Sequence, residues 1–196
     1  MSDNVRRFAA VRTALNKYYP HTDSKRRQRH LTTLAAMVAG IVAAGSSHLP
    51  KMAQKAPDQT KTESRVKRFS RFIQNQRVTY EAFFMPFARD VVVSLSRNQP
   101  LLVVFDGSAL GRDCAVLMAS VIYGKRALPI CWLVKGGKKG HFSAADHLWL
   151  FEQVRAFIPE GTDVIFLGDG EFDSVELQRA LDSAAWHYVC RTASSR

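Results

Sequence analysis

The chain has 196 residues, 46% of them hydrophobic and 23% charged, with a formal net charge of +11. That apolar share excludes a disordered chain and allows one large domain or two small ones around a buried core. Residues 1–100 hold 18 Lys and Arg against 6 Asp and Glu, whereas residues 101–196 hold 10 against 11, so the positive charge belongs to the front half.

A nucleic-acid partner gains from such an asymmetry through counterion release, and a merely solubilising charge does not explain it. Cys114, Cys131 and Cys190 are odd in number and form no C-x-x-C. They read as reduced thiols of a cytoplasmic protein, not as a disulfide framework or zinc ribbon. Leu31 to Gly45 is the longest apolar span. It falls short of the roughly 20 apolar residues a membrane crossing needs, so a buried helix and no membrane partner are expected.

In chain order, Val5 to Tyr18 is amphipathic through Phe8, Val11 and Leu15, with Pro20 beyond its end. Lys25, Arg26, Arg27 and Arg29 precede an Ala-rich helix over Leu31 to Ala44, which Gly45 breaks before a short helix capped by Ser47 and running through Lys55. Two helices across a Gly-containing turn suit a helix-turn-helix and equally a small bundle. Thr60 and Glu63 fit a capping box. The helix after it sets Val66, Phe69, Phe72 and Ile73 on one face and Lys67, Arg68 and Arg71 on the other. With Arg65, this basic face and the Lys25–Arg29 run are the candidate DNA contacts, although a solvated helix back has the same pattern. One further helix is expected over Thr79 to Ser96, closing a basic helical region of residues 1–97 before Asn98-Gln99-Pro100.

From residue 98 the character changes. Leu101 to Phe105 is a continuous apolar run, as a strand buried on both faces would be. Cys114 to Tyr123 and Arg126 to Val134 form a hairpin across Gly124-Lys125, and Pro129 demands that the third strand be an edge or bulged. The loop of residues 136–140 and His141 contain no G-K-[ST] and read as a solvated connection, not a P-loop. Ser143 and Asp146 form a capping box for a helix to about Ile158. A strand over Asp163 to Leu167, a helix capped by Ser174 with Val175, Leu177 and Leu181 inward, and a strand from His187 to Arg191 follow. The expected fold is α/β: an N-terminal helical region, then a mixed sheet with flanking helices over residues 98–196.

Two acids each follow an apolar strand: Asp106 before Gly107-Ser108, and Asp169 between Gly168 and Gly170. On parallel neighbouring strands their carboxylates converge, and converging carboxylates are stable with a cation between them or with one acid protonated. Oxygen ligands and an incomplete shell suit Mg²⁺ or Mn²⁺, the ions of phosphodiester cleavage. Either aspartate alone is an ordinary turn residue; the pair points to chemistry.

With Asp106-Gly107-Ser108 and Gly168-Asp169 followed by Phe172-Asp173-Ser174, the sequence resembles the DDE transposases of bacterial insertion sequences. The stretch from Val38 to Pro57 and the basic helix after it are similar to that family's front segment. The resemblance implies a ribonuclease-H-like core with strand order 3-2-1-4-5, DNA transposition and recombination at transposon ends, and Asp106 and Asp169 as catalytic, metal-binding acids. The family's third acid is a Glu in a Y-x-x-R-x-x-x-E pattern on a helix beyond strand five, which this sequence lacks; Glu171 is too near Asp169 to come from a separate helix, and Glu176 lies on the wrong one. The expectation is thus a truncated transposase, weak in metal binding and inactive alone, with its oligomeric state open, a homodimer included. A DNA-binding regulator without catalysis is the non-enzyme alternative. A haloacid-dehalogenase-type phosphatase is a remote one, because its general-acid position holds Ser108.

Overall fold

The computed structural model describes residues 2–19, 24–97, 99–111, 113–137 and 142–191. Pro20, Asn98 and the loop residues 138–141, including His141, lie outside them. The chain divides into two compact units, Met1–Pro86 and Phe87–Arg196. The division falls ahead of the sequence boundary at residue 97, because the last front-half helix goes largely with the sheet.

The first unit opens with α1 (Asp3–Tyr18) and α2 (Lys25–Ala44). Ser24 caps α2, so the basic run expected outside the helix forms its first turn. Gly45 ends α2 in the left-handed conformation, φ 57°, as a C-terminal glycine can without Cβ strain. After a 97° bend comes α3 (Leu49–Lys55), an angle within the helix-turn-helix range. His48, not Ser47, occupies its N-cap position. The bend folds α3 onto α2 at Gly40, where an added Cβ would stand 2.5 Å from the Met52 carbonyl oxygen. Gly40→Ala gains up to about 1 kcal/mol in helix propensity but drives a methyl into backbone, an overpacking cost of about 1–3 kcal/mol. A lowered melting temperature is therefore expected; a rise would show that α3 is not seated there.

Then follow α4 (Thr62–Ile73) and the one-turn α5 (Tyr80–Phe83). Phe69 and Phe72 of α4 are buried with Met37, Met52 and Ala53 in the core of this unit. Two expectations fail here. The Thr60 hydroxyl donates to Asp58 at 2.5 Å and does not cap α4, which starts at Thr62 with no side-chain cap. Ile73 is 56% exposed, because Phe72, edge-on to His30 and Phe83, fills the core at the helix end.

The single helix expected over 79–96 is broken into α5 and α6 (Met85–Leu95). Pro86 has no N–H to give the Ala82 carbonyl, and the chain leaves the helix at Phe84 (φ −122°) before α6 begins. The Tyr19 hydroxyl donates to the Ala82 oxygen instead, at 2.7 Å.

The second unit is α/β. Strands β1 (Leu101–Gly111), β2 (Cys114–Tyr123), β3 (Arg126–Gly136), β4 (Val164–Gly168) and β5 (His187–Cys190) form one mixed sheet in the order β3-β2-β1-β4-β5. That is the order implied by the ribonuclease-H-like resemblance. β1–β2 and β2–β3 are antiparallel, β1–β4 and β4–β5 parallel. Pro129 lies on edge strand β3, where the register slips by one residue at Ile130, so both accommodations for a proline are present.

Helix α7 (Ala144–Arg155) opens with the Ser143/Asp146 capping box, and Asp146 also accepts from Lys135 of β3 at 2.6 Å. Burial pushes the Asp146 carboxyl up, but the bonds from Lys135 and Ser143 outweigh it and hold the group below its ordinary pKa. Ser174 caps α8 (Val175–Ser183). Leu177 and Leu181 are buried there, but Val175 is 51% exposed, since two residues turn a helix by roughly 200° and carry it to the far side from Leu177. No single helix among the described residues is long and apolar enough to cross a membrane. The three cysteines are free thiols.

Candidate nucleic-acid interface and carboxylate edge

Helical spacing gathers each of two separate basic stretches onto one face of its helix in the first unit, and the packing of the helices brings the two faces together. Lys25, Arg29 and Thr32 recur at i, i+4 and i+7 along α2, and Ser64, Arg68, Arg71 and Asn75 at i, i+4, i+7 and i+11 from α4 onward. These faces line one cleft of about 940 Å³ with Arg26, Gln28, His30, Thr33 and Phe72. The Asn75 amide lies 3.3 Å from His30 Nε2. Five cationic side chains meet here, and no Asp or Glu among the described residues lines the cleft.

The first turn of α2 contains Lys25, Arg26 and Arg27 but no acid. Cations at the positive end of a helix dipole cost about 0.3–1 kcal/mol each when exposed, a cost that a docked anion offsets.

The remaining predicted contacts are elsewhere. Lys67 is exposed on α4 but outside the cleft, and Arg27 lies 5.3 Å over the Tyr19 ring. Arg65 donates to the carbonyls of Ala53, Ala56 and Thr60 and pairs with Asp58, bracing the α3–α4 connection. Arg68 also pairs with Asp58. Burial raises the Asp58 pKa, yet the bonds from Thr60 and Arg68 bring it below the ordinary carboxylate value.

In the second unit, β1 pairs with β2 from Val103 to Gly111, whereas its pairing with β4 ends at Val104 and Leu167. Two residues further along the chain in each case come Asp106 and Asp169, both exposed. Carried two residues past its last pair, the parallel register sets Asp106, within β1, level with Asp169, just after β4, on neighbouring strands roughly 4.8 Å apart. This is the carboxyl end of the β1–β4 pairing, at the point where strand order reverses, where open α/β sheets form their crevices. The Ser108 hydroxyl donates to Asp106 Oδ2 at 3.0 Å. Asp169 caps a 3-10 turn, Gly170–Phe172, and its Oδ1 accepts from the Glu171 amide at 2.9 Å.

An all-oxygen set of two carboxylates fits Mg²⁺ or Mn²⁺, which are commonly held by one or two carboxylates with phosphate and water completing the shell. It is not a finished cage: among the described residues no three His, Cys, Asp or Glu side chains are grouped to hold a metal ion.

Two residues at this edge had no assigned role in the sequence reading. His147 of α7 is 3% exposed, and burial holds its imidazole below the ordinary pKa, with Asp146 and Asp169 pulling partly the other way. Glu171 turns its carboxylate toward Gly107. Only the Glu171 position beside Asp169 was visible in the sequence; a histidine on an apolar helix face gives no signal of its partner. Glu176 is exposed on α8.

No protein-family model matches the chain, and no curated protein matches it significantly in sequence.

Proposed function

We propose that the chain is a DNA-binding transposase component of the insertion-sequence DDE type, contributing two of the three acids of that family. The observation that carries this reading is the parallel β1–β4 register, which, carried two residues past its last pair, sets Asp106 level with Asp169. The α2–α4 cleft supports it independently, because its arginines and lysine suit phosphate oxygens and its Gln28, Asn75 and Thr32 add polar reach. The antiparallel β1–β2–β3 meander, with Ser108 where an acid is needed, speaks against the phosphatase.

Under this reading Asp106 and Asp169 would hold Mg²⁺ or Mn²⁺, which would supply Lewis-acid chemistry for phosphodiester cleavage. Ser108 orients Asp106, and the Glu171 amide orients Asp169. The cleft residues bind the DNA backbone.

Calorimetric titration with Mn²⁺ tests the proposal. Wild-type protein is expected to bind the ion, and Asp106→Ala to weaken it at least about tenfold while DNA affinity without metal stays unchanged. Equal Mn²⁺ affinity in both proteins would overturn the metal role and leave a DNA-binding regulator as the better reading.

A further inference from the structure

A carboxylate and a buried histidine stand behind the aspartate edge. Glu171, two residues after Asp169, turns its side chain back across β1, and a Cβ added at Gly107 would lie 3.2 Å from its Oε2 and 3.7 Å from Phe142 Cδ2. Glu171 Oε1 faces His147 Nε2 at 3.9 Å. The imidazole is tilted against Phe172 with ring centroids 4.8 Å apart, and neither of its nitrogens has a hydrogen-bond partner among the described residues. One carboxylate therefore occupies the space over Gly107, the residue after Asp106, faces a buried polar side chain, and belongs to the turn that Asp169 caps.

We propose that Glu171, backed by His147, is a positioning residue that fixes the Asp169 turn against the Asp106 strand and so sets the divalent-cation affinity of the pair. The inference rests on the metal reading above. Two residues of separation prevent Glu171 from serving as an acid on a separate helix, but let it tie the Asp169 turn to β1. Gly107 then has a spatial reason: a side chain there would contest the place of the Glu171 carboxylate. His147 has one too, since Phe or Leu would fill an apolar site without stranding polar atoms. Residues that orient metal ligands govern affinity by about 10–100-fold.

The test is Mn²⁺ calorimetry with thermal melting on the full chain, comparing wild type, Glu171→Ala, Glu171→Gln, His147→Phe and Asp106→Ala. Glu171→Ala should weaken Mn²⁺ about tenfold or more. Glu171→Gln, which keeps the shape and an oxygen for His147, should retain most of the affinity. His147→Phe should melt no lower than wild type yet bind Mn²⁺ more weakly, an opposition that a purely structural role does not produce.

Wild-type affinity in both Glu171→Ala and His147→Phe, an equal loss in Glu171→Gln and Glu171→Ala, or losses that merely follow the melting temperature would each overturn the inference. If affinity falls in Asp106→Ala alone, the positioning role fails and the metal reading stands. If Asp106→Ala also binds like wild type, both fall.

Discussion

Replacing Arg26, Arg29, Arg68 and Arg71 together by glutamine is expected to lower duplex-DNA affinity at 50 mM salt by at least roughly a hundredfold. All four line the α2–α4 cleft, whose described lining holds no acid; Arg68 alone of the four also pairs with an acid, Asp58, from outside it. Each phosphate contact contributes about 0.9 to the slope of log affinity against log salt, so losing four should make it shallower by roughly 3–4 units. The slope is the sharper readout, because it counts ionic contacts independently of base recognition. Lys67→Gln is the control: it removes a cation from the same helix but outside the cleft and should change little. Comparable losses from Lys67 and from the four arginines would mean that charge in general, not this cleft, binds DNA.

The largest effect on stability is expected from Phe172→Ala. Phe172 closes the turn after Asp169 and is fully buried, with its ring 6.0 Å from Phe105, 6.4 Å from Phe166 and 4.8 Å from His147. Truncating a buried phenylalanine costs about 3–5 kcal/mol, a large share of the roughly 5–15 kcal/mol that holds a domain together. The cavity would open beneath Asp169, so Mn²⁺ binding should disappear even under conditions where the protein stays folded. Denaturant unfolding with and without Mn²⁺ checks both parts. A loss below about 1 kcal/mol would show that the turn does not depend on this ring.

What was legible in the sequence follows from how local the determining physics is. The buried strands announced themselves as apolar runs, and Pro129 marked β3 as an edge because a missing N–H cannot be hidden in a ladder. Ser143 and Ser174 were readable as caps because their partners lie three residues away. Where expectation and structure differ, the causes are mixed: Asp58, two residues before Thr60, takes its hydroxyl, and Pro86 breaks the 79–96 span from within, while the donor to the Ala82 carbonyl comes from distant Tyr19. The start of α2 was obscured because a first turn rich in cations opposes the helix dipole and reads as a loop.

At the candidate sites the two aspartates were legible as acids following apolar runs, although β1 runs on past Asp106 to Gly111, and their placement on neighbouring strands followed from the strand order. The i, i+4, i+7 recurrence within each basic stretch was also present, but that α2 and α4 face each other is a tertiary fact. The approach of Glu171 to Gly107 joins residues far apart in the chain through a β1–β4 register that no local pattern encodes.

The most direct measurement of the central claim is paramagnetic broadening of backbone amides in ¹⁵N-labelled protein by substoichiometric Mn²⁺. One ion shared by Asp106 and Asp169 should broaden the amides of Gly107 and Ser108 together with those of Gly170 and Glu171, at the same Mn²⁺ concentration, and Asp169→Ala should restore both sets. Broadening of one set without the other, or diffuse broadening over surface acids that Asp169→Ala leaves unchanged, would contradict the account.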